Sequence, residues 1–301
     1  MFEISLQHSI HTLEGTELVP AGVTLTEDLI REIIASNSKP PVKSMSLMQY
    51  GSVKNNILDF FANPAYKNIF DNHEENKDVI NVMEEVFVPI PVLEALDYFR
   101  EYDFYTYRHM LMVFALATPM IKMLFPDNKS QLHNATAGPA HDLGKICVPL
   151  NILMKRDPLT SLERKVLFQH PAAGYVLLSY YTGTPADFSA IVARDHHERR
   201  DGSGYMTGVE LNDPMVEIVA VADIYDALIS PRPYRPVSFD NRTALEVMTT
   251  MAQQGQISWE MLKALIALNR KGKPDFRSFK VSLEKRGTPP PDSAYGKTAK
   301  S

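Results

Sequence analysis

The sequence predicts a mainly α-helical protein with a small N-terminal region of mixed α and β character, and three observations lead to this fold class. Apolar residues recur at helical spacing in successive segments after residue 53. Residues 2–25 instead carry short apolar runs on either side of Pro20-Ala21-Gly22, as short strands joined by a turn do. The 301 residues are 45% hydrophobic and 22% charged, an ordinary globular composition that excludes collagen-like and largely disordered chains.

The helices can be placed in order along the chain. Thr26 is a suitable N-cap for a first helix that ends at Ser36, with Glu27 and Asp28 favourably placed in its first turn. Lys39-Pro40-Pro41 ends this element. Helical spacing then predicts further helices over 53–62, 75–88, 91–103, 105–124, 131–142, 160–169, 172–182, 186–197, 214–229, 239–254 and 258–268.

The chain shows no feature of a secreted or membrane-spanning protein. The most apolar stretch, 110–121, is shorter than the roughly 20 residues of a membrane span, so we interpret it as a buried core helix. The N-terminus lacks the basic and apolar parts of a secretory signal. The single cysteine, Cys147, cannot form an internal disulfide, and we expect it in the core. We therefore expect a soluble cytoplasmic protein without a membrane span.

Three places in the sequence carry imidazole or carboxylate groups in a context that suits metal binding. His141-Asp142 and His196-His197 are adjacent pairs, and Asp223 lies within the apolar run 218–226. An aspartate has two oxygens and can bridge two cations, whereas an unpaired charge in an apolar run would cost several kcal/mol. Imidazole and carboxylate without thiolate suit iron, manganese or zinc. The other histidines that stand outside such a context are read as structural or surface residues: His8, His11, His73 and His133.

Short motifs around these residues follow one another between about residues 100 and 270. They are Tyr105-Thr-Tyr-Arg-His109, His141-Asp-Leu-Gly-Lys145, Leu159-Thr-Ser-Leu-Glu163, Gln169-His170-Pro171, His196-His-Glu-Arg-Arg-Asp-Gly-Ser-Gly-Tyr205, Val221-Ala-Asp-Ile-Tyr-Asp-Ala227 and Arg232-Pro-Tyr-Arg235. In this order they resemble the HD-GYP family of bacterial cyclic di-GMP phosphodiesterases, a branch of the HD-domain metallohydrolases. The resemblance implies an HD-domain helical bundle of the HD-GYP type.

The same resemblance implies a metal site. It places the metal ligands on seven residues: His109, His141, Asp142, His170, His196, His197 and Asp223. Two divalent ions are implied, iron in the first place and manganese or zinc as alternatives, with Asp142 as the bridging carboxylate. Tyr105 stands where some members use a glutamate to hold a third ion, so a third ion is not expected.

The implied chemistry is hydrolysis of cyclic di-GMP to pGpG, or onward to GMP, by a hydroxide that bridges the two ions. Asp142 and Lys145 would be the catalytic residues. The substrate contacts implied by the family are Lys145, Gly204, Tyr205, Arg232 and Arg235. Guanidinium donors match phosphate oxygens, although surface charge beside two prolines is the other reading of the arginine pair.

Two positions depart from the family pattern and leave alternatives open. Met206 replaces the proline of the signature, and Gly138-Pro139 precedes the His141-Asp142 pair. One alternative is a degenerate, non-catalytic scaffold that binds the nucleotide or a diguanylate cyclase of the GGDEF type. The other is an HD phosphohydrolase acting on another nucleotide.

The resemblance divides the chain into three parts. Residues 96–270 form the expected catalytic domain, and residues 1–95 form an unassigned regulatory or dimerisation region, so a homodimer is a further expectation. Residues 271–301 form a basic, proline-containing tail that is expected to be partly disordered. Residues 264–301 carry nine Lys and Arg against three Asp and Glu, although the whole chain has a net charge of −5. Because no basic field covers the whole protein, we expect no nucleic-acid polymer as a partner.

Overall fold

Two helices with apolar residues on nearly every face pack side by side at the centre of the structure. They are α5 (Phe104–Leu124) and α10 (Pro214–Ile229), and almost all of their residues are buried. A helix that is apolar all round needs protein on every side, which explains its central position. The apolar stretch 110–121 lies inside α5, which confirms the predicted core helix.

The computed structural model describes residues 3–37, 42–51, 53–127, 134–135, 137–232, 235 and 237–290. The other helices in these ranges surround the central pair: α1 (Glu27–Ser36), α2 (Val53–Phe61), α3 (His73–Glu85), α4 (Ile90–Tyr102), α6 (Leu150–Leu153), α7 (Ser161–Phe168), α8 (His170–Thr182), α9 (Phe188–Asp195), α11 (Asn241–Gln253) and α12 (Trp259–Leu268). The predicted mainly α-helical class is confirmed. Among the described helices, none combines the length and apolar character needed to cross a membrane.

The predicted helix over 131–142 is wrong for the part that the structure describes. Residues 134–135 and 137 have 3-10 geometry and residues 138–142 form turns, in which the N–H groups of Ala140 and Leu143 donate to carbonyls three residues earlier. Pro139 has no N–H to contribute to an α-helical ladder, and its ring disfavours the α conformation of the residue before it. Several positions used in the sequence analysis lie outside the described residues: Lys39, Pro40, Pro41, residues 131–133 with His133, Pro233, Tyr234 and residues 291–301.

The N-terminal region has the expected mixed character. Its described residues form three two-stranded antiparallel sheets that pair β1 (Ile4–Ser5) with β4 (Thr24–Leu25), β2 (Ile10–His11) with β3 (Glu17–Val19), and β5 (Ser44–Ser46) with β6 (Phe87–Pro89). The side chain of Thr26 accepts a hydrogen bond from the N–H of Leu29, which confirms the predicted N-cap.

This N-terminal region packs directly against the helical bundle. The side-chain oxygen of Gln169 accepts from the N–H groups of Gln7 (2.9 Å) and His8 (3.1 Å), and its amide nitrogen donates to the carbonyl of His8 at 2.9 Å. Gln169 is buried and immediately precedes His170. The N-terminal strands therefore share one hydrophobic core with the bundle.

Residues 271–290 contain neither helix nor strand, yet they lie along the bundle surface. Phe276 is buried, and the carboxylate of Glu246 in α11 accepts from the backbone N–H groups of Arg286 and Gly287. These contacts attach the described part of the predicted tail to α11.

Cys147 is buried, and burial raises the pKa of its thiol to about 11 from 9.0. Since the thiolate is the reactive form, this shift lowers the thiolate fraction about 100-fold. We expect iodoacetamide at pH 7.5 to label the native protein far more slowly than the protein in guanidinium, where mass spectrometry should find one label per chain. Rapid native labelling, absent in a Cys147→Ala control, would contradict this burial.

Candidate metal centre

The seven predicted metal ligands converge on one point from five separate parts of the fold. Helix α5 carries His109 and α10 carries Asp223, whereas the turn after Pro139 carries His141 and Asp142. His170 begins α8, and His196 and His197 directly follow α9. Within the described residues, the clusters of potential ligands with the spacing for a metal ion contain these seven residues alone. All of them except His197 are buried.

The carboxylate of Asp142 lies between two groups of ligands. Its Oδ2 is 3.3 Å from Nε2 of His141 and 3.5 Å from Nε2 of His109. Its Oδ1 is 3.2 Å from Nε2 of His170 and 3.9 Å from Nε2 of His196. Two ligands that bind one ion at about 2.1 Å are separated by about 3.0–3.4 Å, depending on the geometry. Each oxygen therefore faces a different pair of imidazoles, and the distances to His141 and His170 lie within this range.

Close backbone packing brings Asp142 to His170. A Cβ atom on Gly144 would lie 2.0 Å from the carbonyl oxygen of His170 and 2.4 Å from the nitrogen of Gly174. Any larger residue at position 144 would push the turn away from the start of α8. Glycine at position 144 is thus needed for the turn that carries Asp142 to lie this close to the start of α8, which carries His170.

Backbone carbonyls fix the orientation of three imidazoles. Nδ1 of His141 lies 2.5 Å from the carbonyl oxygen of Gly138, Nδ1 of His170 lies 2.8 Å from that of Leu167, and Nδ1 of His196 lies 2.9 Å from that of Ala193. A carbonyl oxygen only accepts, so these hydrogen bonds assign the proton of each neutral ring to Nδ1. The Nε2 lone pairs then point inward. Nε2 of His170 is 3.4 Å from Nε2 of His196 and 3.2 Å from that of His197.

Lone pairs that face one another at this distance need a cation between them, so the donor set fits divalent metal ions. Neutral imidazole with carboxylate is also the ligand combination that iron, manganese and zinc accept. Burial in the first place, with the imidazoles of His141 and His170 nearby, lowers the pKa of His196 to about 3. Burial, with His196 and His170, holds the pKa of His197 well below its usual value. Both rings are therefore neutral, as metal ligands must be.

The Asp142 carboxylate is ionised in this environment. Burial by itself would raise its pKa, but the ammonium of Lys145 and the imidazole of His141 hold the pKa well below its ordinary value. Nζ of Lys145 lies 2.5 Å from Oδ2 of Asp142. The predicted catalytic pair is thus in direct contact, and Lys145 reaches the same point as the imidazoles.

Sequence reasoning missed a second buried aspartate. Asp226 follows Asp223 by one helical turn on α10, so both carboxylates lie on the same helix face. Oδ2 of Asp226 is 2.7 Å from Nδ1 of His109, and Oδ1 of Asp223 is 3.0 Å from Nε2 of the same ring. Burial would raise the pKa of Asp226, but Arg108 and His109 lower it overall. The three-residue spacing inside an apolar run was the signal that could have identified it.

The two predicted phosphate-binding arginines have different surroundings. The Nη2 of Arg235 donates to carbonyls at the C-terminus of α10, at 2.5 Å from Ala227 and 2.9 Å from Leu228, and the side chain is buried. This geometry gives Arg235 a helix-capping partner and does not favour a substrate contact, which stays a prediction. Arg232 is half-buried, with its guanidinium 4.8 Å from the ring centre of Tyr105. Tyr105 in turn stacks on His109, with ring centres 5.8 Å apart, so Arg232 lies near the predicted metal ligands.

The loop after His197 is held by a buried carboxylate. Glu198 accepts from the N–H (2.7 Å) and hydroxyl (2.8 Å) of Thr207 and from the N–H of Gly208. A Cβ atom on Gly204 would lie 2.4 Å from Cα of Glu198, so only glycine allows this approach. Met206 packs against the core and follows Tyr205 through a cis peptide bond. The hydrogen bonds of Glu198 therefore hold the loop directly after Met206, the residue that replaces the proline of the family signature.

Three rings lie in parallel from the metal ligands to the surface. Tyr205 stacks on His197 with ring centres 4.5 Å apart, and Phe168 stacks on Tyr205 at 4.6 Å. Phe168 is 41% exposed. The sequence predicts Tyr205 as a site residue but gives no signal for Phe168. Phe168 ends α7 and lies two residues before His170 in the sequence.

Comparison with known proteins places this site within a described family. A family model for the HD domain matches residues 93–258. A cyclic di-GMP phosphodiesterase response regulator from Xanthomonas campestris is 46% identical over 101 residues, which cover 33% of this chain and 27% of that protein. A cyclic di-GMP phosphodiesterase from Thermotoga maritima is 37% identical over 147 residues, which cover 48% and 40%.

A 3'3'-cGAMP-specific phosphodiesterase from Vibrio cholerae is also similar, with 33% identity over 122 residues that cover 40% of this chain and 23% of that protein. The chain thus spans less than half the length of each of these relatives.

Replacing Glu198 with alanine should destabilise the protein by about 1–3 kcal/mol, because Thr207 and Gly208 would lose their hydrogen bonds to a buried, charged acceptor. Urea unfolding of the metal-depleted protein measures this change. Glu210→Ala is the matched control, since Glu210 lies in the same loop with an exposed side chain. Equal stability of the two variants would show that the Glu198 contacts contribute nothing to the loop.

Proposed function

The chain belongs to the HD domain family, as its motifs predicted, and from this premise we propose that it is a dimetal phosphodiesterase of cyclic dinucleotides. Cyclic di-GMP is the proposed substrate and pGpG the proposed first product. Hydrolysis adds water across one phosphodiester bond, so that the 3′ oxygen leaves as a hydroxyl and the phosphate stays on the 5′ side. The names of the curated relatives support this substrate class.

One observation carries the proposal: the two oxygens of Asp142 face two separate groups of ligands. One group contains His109, His141 and Asp223, and the other contains His170, His196 and His197. A single ion would need only one of these groups. Two groups that share one carboxylate favour a pair of ions, and the nitrogen and oxygen donors favour iron, with manganese or zinc as alternatives.

Two divalent ions held here would polarise the phosphoryl oxygens and supply a water of lowered pKa. The protein's own groups have separate tasks. The Lys145 ammonium would offset phosphate charge, and the Arg232 guanidinium, near Tyr105 and His109, would do the same from the other side of the site. Tyr105 places an aromatic ring where a third ion would need a carboxylate, so we propose two ions.

The ring stack suggests how a nucleobase is recognised. Phe168 ends a parallel stack that begins at His197, and its exposed ring would accept a purine by continuing the stack. Stacking of a base on an aromatic side chain contributes about 1–3 kcal/mol. It distinguishes poorly between bases, so 3'3'-cGAMP is a second candidate substrate, in line with the name of one relative.

The remaining assignments belong to the same proposal. We propose a cytoplasmic location, because cyclic dinucleotides act inside the cell. We assign residues 1–95 to regulation or dimerisation, with a second copy of the chain or a diguanylate cyclase as the partner. The described part of this region shares its core with the bundle, which supports an influence on the site.

The decisive experiment is anoxic metal analysis followed by chromatography of cyclic di-GMP incubated with the iron- or manganese-loaded protein. We expect about two ions per chain and formation of pGpG. Asp142→Asn should lower hydrolysis by more than about 100-fold, because removing a shared ligand costs more than the 10- to 100-fold typical of residues around a metal ligand. Asp78→Asn, which removes an exposed carboxylate paired with Lys122, should change nothing.

Other outcomes would select the alternatives. Two bound ions without turnover of any cyclic dinucleotide would favour a non-catalytic scaffold. Cleavage of 3'3'-cGAMP but not of cyclic di-GMP would change the substrate. Full activity in Asp142→Asn would eliminate the proposed site.

Replacing Phe168 with alanine should raise KM for cyclic di-GMP about tenfold and leave kcat within about twofold, because the lost stacking acts on binding. Steady-state kinetics measures both constants. Phe168→Tyr should retain the wild-type KM, and so should Phe87→Ala, the control that removes an exposed ring on β6. An unchanged KM in Phe168→Ala would exclude this stacking role.

A further inference from the structure

A tyrosine from outside the HD domain reaches the edge of the metal centre. Tyr66 ends the short 3-10 turn Pro64–Tyr66, whereas the family match begins at residue 93. Its side chain is fully buried. The hydroxyl donates to Oδ1 of Asp226, lies 2.9 Å from Oγ of Ser230 and accepts from Nη1 of Arg108 at 2.9 Å. It is thus connected to three polar groups inside the bundle.

These contacts lead directly to one metal ligand. The two oxygens of the Asp226 carboxylate divide their partners, since Oδ1 accepts from Tyr66 and Oδ2 accepts from Nδ1 of His109 at 2.7 Å. The opposite nitrogen of His109, Nε2, is the one that faces Asp223 and Asp142. The orientation of the His109 ring therefore depends on the orientation of Asp226.

Arg108 competes for the same carboxylate. Its Nη2 is 3.5 Å from Oδ2 of Asp226, while its Nη1 donates to the hydroxyl of Tyr66. If the hydroxyl were absent, Nη1 would lose its acceptor and Asp226 would lose one donor. The guanidinium and the carboxylate would then approach each other, because a paired arrangement is the remaining way to satisfy both buried charges. That movement would draw Oδ2 away from His109.

We propose that Tyr66 is a positioning residue for the metal centre, which holds Asp226 in the orientation that keeps Nε2 of His109 directed at one of the two ions. The inference rests on the proposed dimetal site. It gives residues 1–95 a defined task, because the segment that precedes the HD domain completes the surroundings of a ligand inside it. Because His109 is oriented by the side chain of Asp226, and His170 and His196 by backbone carbonyls, the two ion sites differ in what holds their ligands.

The effect is confined to one ligand group. His170 and His196 in the second group are oriented by the carbonyls of Leu167, Val192 and Ala193, all within the bundle. The first group depends on Asp226 through His109. Loss of the Tyr66 hydroxyl should therefore weaken one ion and spare the other, whereas a general loss of packing would weaken both.

Tyr66→Phe in the full chain tests this inference, with Tyr225→Phe as the matched control. Tyr225 is a buried tyrosine on α10, beside Asp226, but its hydroxyl donates to Asn269. Anoxic titration with Mn²⁺ and Co²⁺ gives the two dissociation constants, and the visible spectrum of bound Co²⁺ reports the ligand geometry. We expect one of the two ions to bind to Tyr66→Phe about tenfold less tightly than to the wild type, at the lower end of the range for residues around metal ligands. The dissociation constant of the other ion should change by less than about twofold.

The possible results separate the two proposals. Failure of the wild type to bind two ions would refute the dimetal function itself. Two ions in the wild type and unchanged constants and Co²⁺ spectrum in Tyr66→Phe would overturn the inference alone, as would an equal loss in Tyr225→Phe. Asp226→Asn is a second variant if Tyr66→Phe does not fold, and the same selective loss, about 100-fold, is expected from it. Equal weakening of both ions in Asp226→Asn would also overturn the inference.

Discussion

The structure depends on accommodating the buried negative charge of Asp142. Carboxylates are costly to bury unless ions or hydrogen-bond donors compensate them, and Asp142 lies among imidazoles and the ammonium of Lys145. Its two oxygens divide the imidazoles into two groups, and this division underlies the proposed pair of ions. The surrounding elements can be understood as the scaffold that brings these groups to one carboxylate.

Precise placement of the ligands comes largely from the backbone. Carbonyls orient His141, His170 and His196, and close packing at Gly144 sets the distance from the Asp142 turn to α8. His109 differs because its orienting group is a side chain, Asp226, which is itself held by other side chains. The orientation of His109 therefore depends on a network of side chains, whereas backbone carbonyls orient the other three imidazoles.

The N-terminal region is part of this arrangement. Gln169 binds the backbone of Gln7 and His8 just before His170, and Tyr66 contacts Asp226 behind His109. Both ligand groups thus have a neighbour that is tied to the region before the HD domain. Movement of that region would shift the candidate metal ligands, which gives the proposed regulation by residues 1–95 a physical route.

The sequence by itself determined the mainly α-helical class, most helix positions and the seven candidate ligands, because helical periodicity and short motifs are local properties. It was wrong about the helix over 137–142, where Pro139 favours turns. Only the tertiary structure decided that Arg235 caps α10, that Phe168 extends the ring stack and that Tyr66 reaches Asp226. The contacts of Tyr66 and Phe168 join segments that are far apart in the chain, and local sequence patterns do not encode which distant segments meet. Arg235 could bind a substrate phosphate or nearby carbonyls, and only the folded geometry shows that it binds the carbonyls.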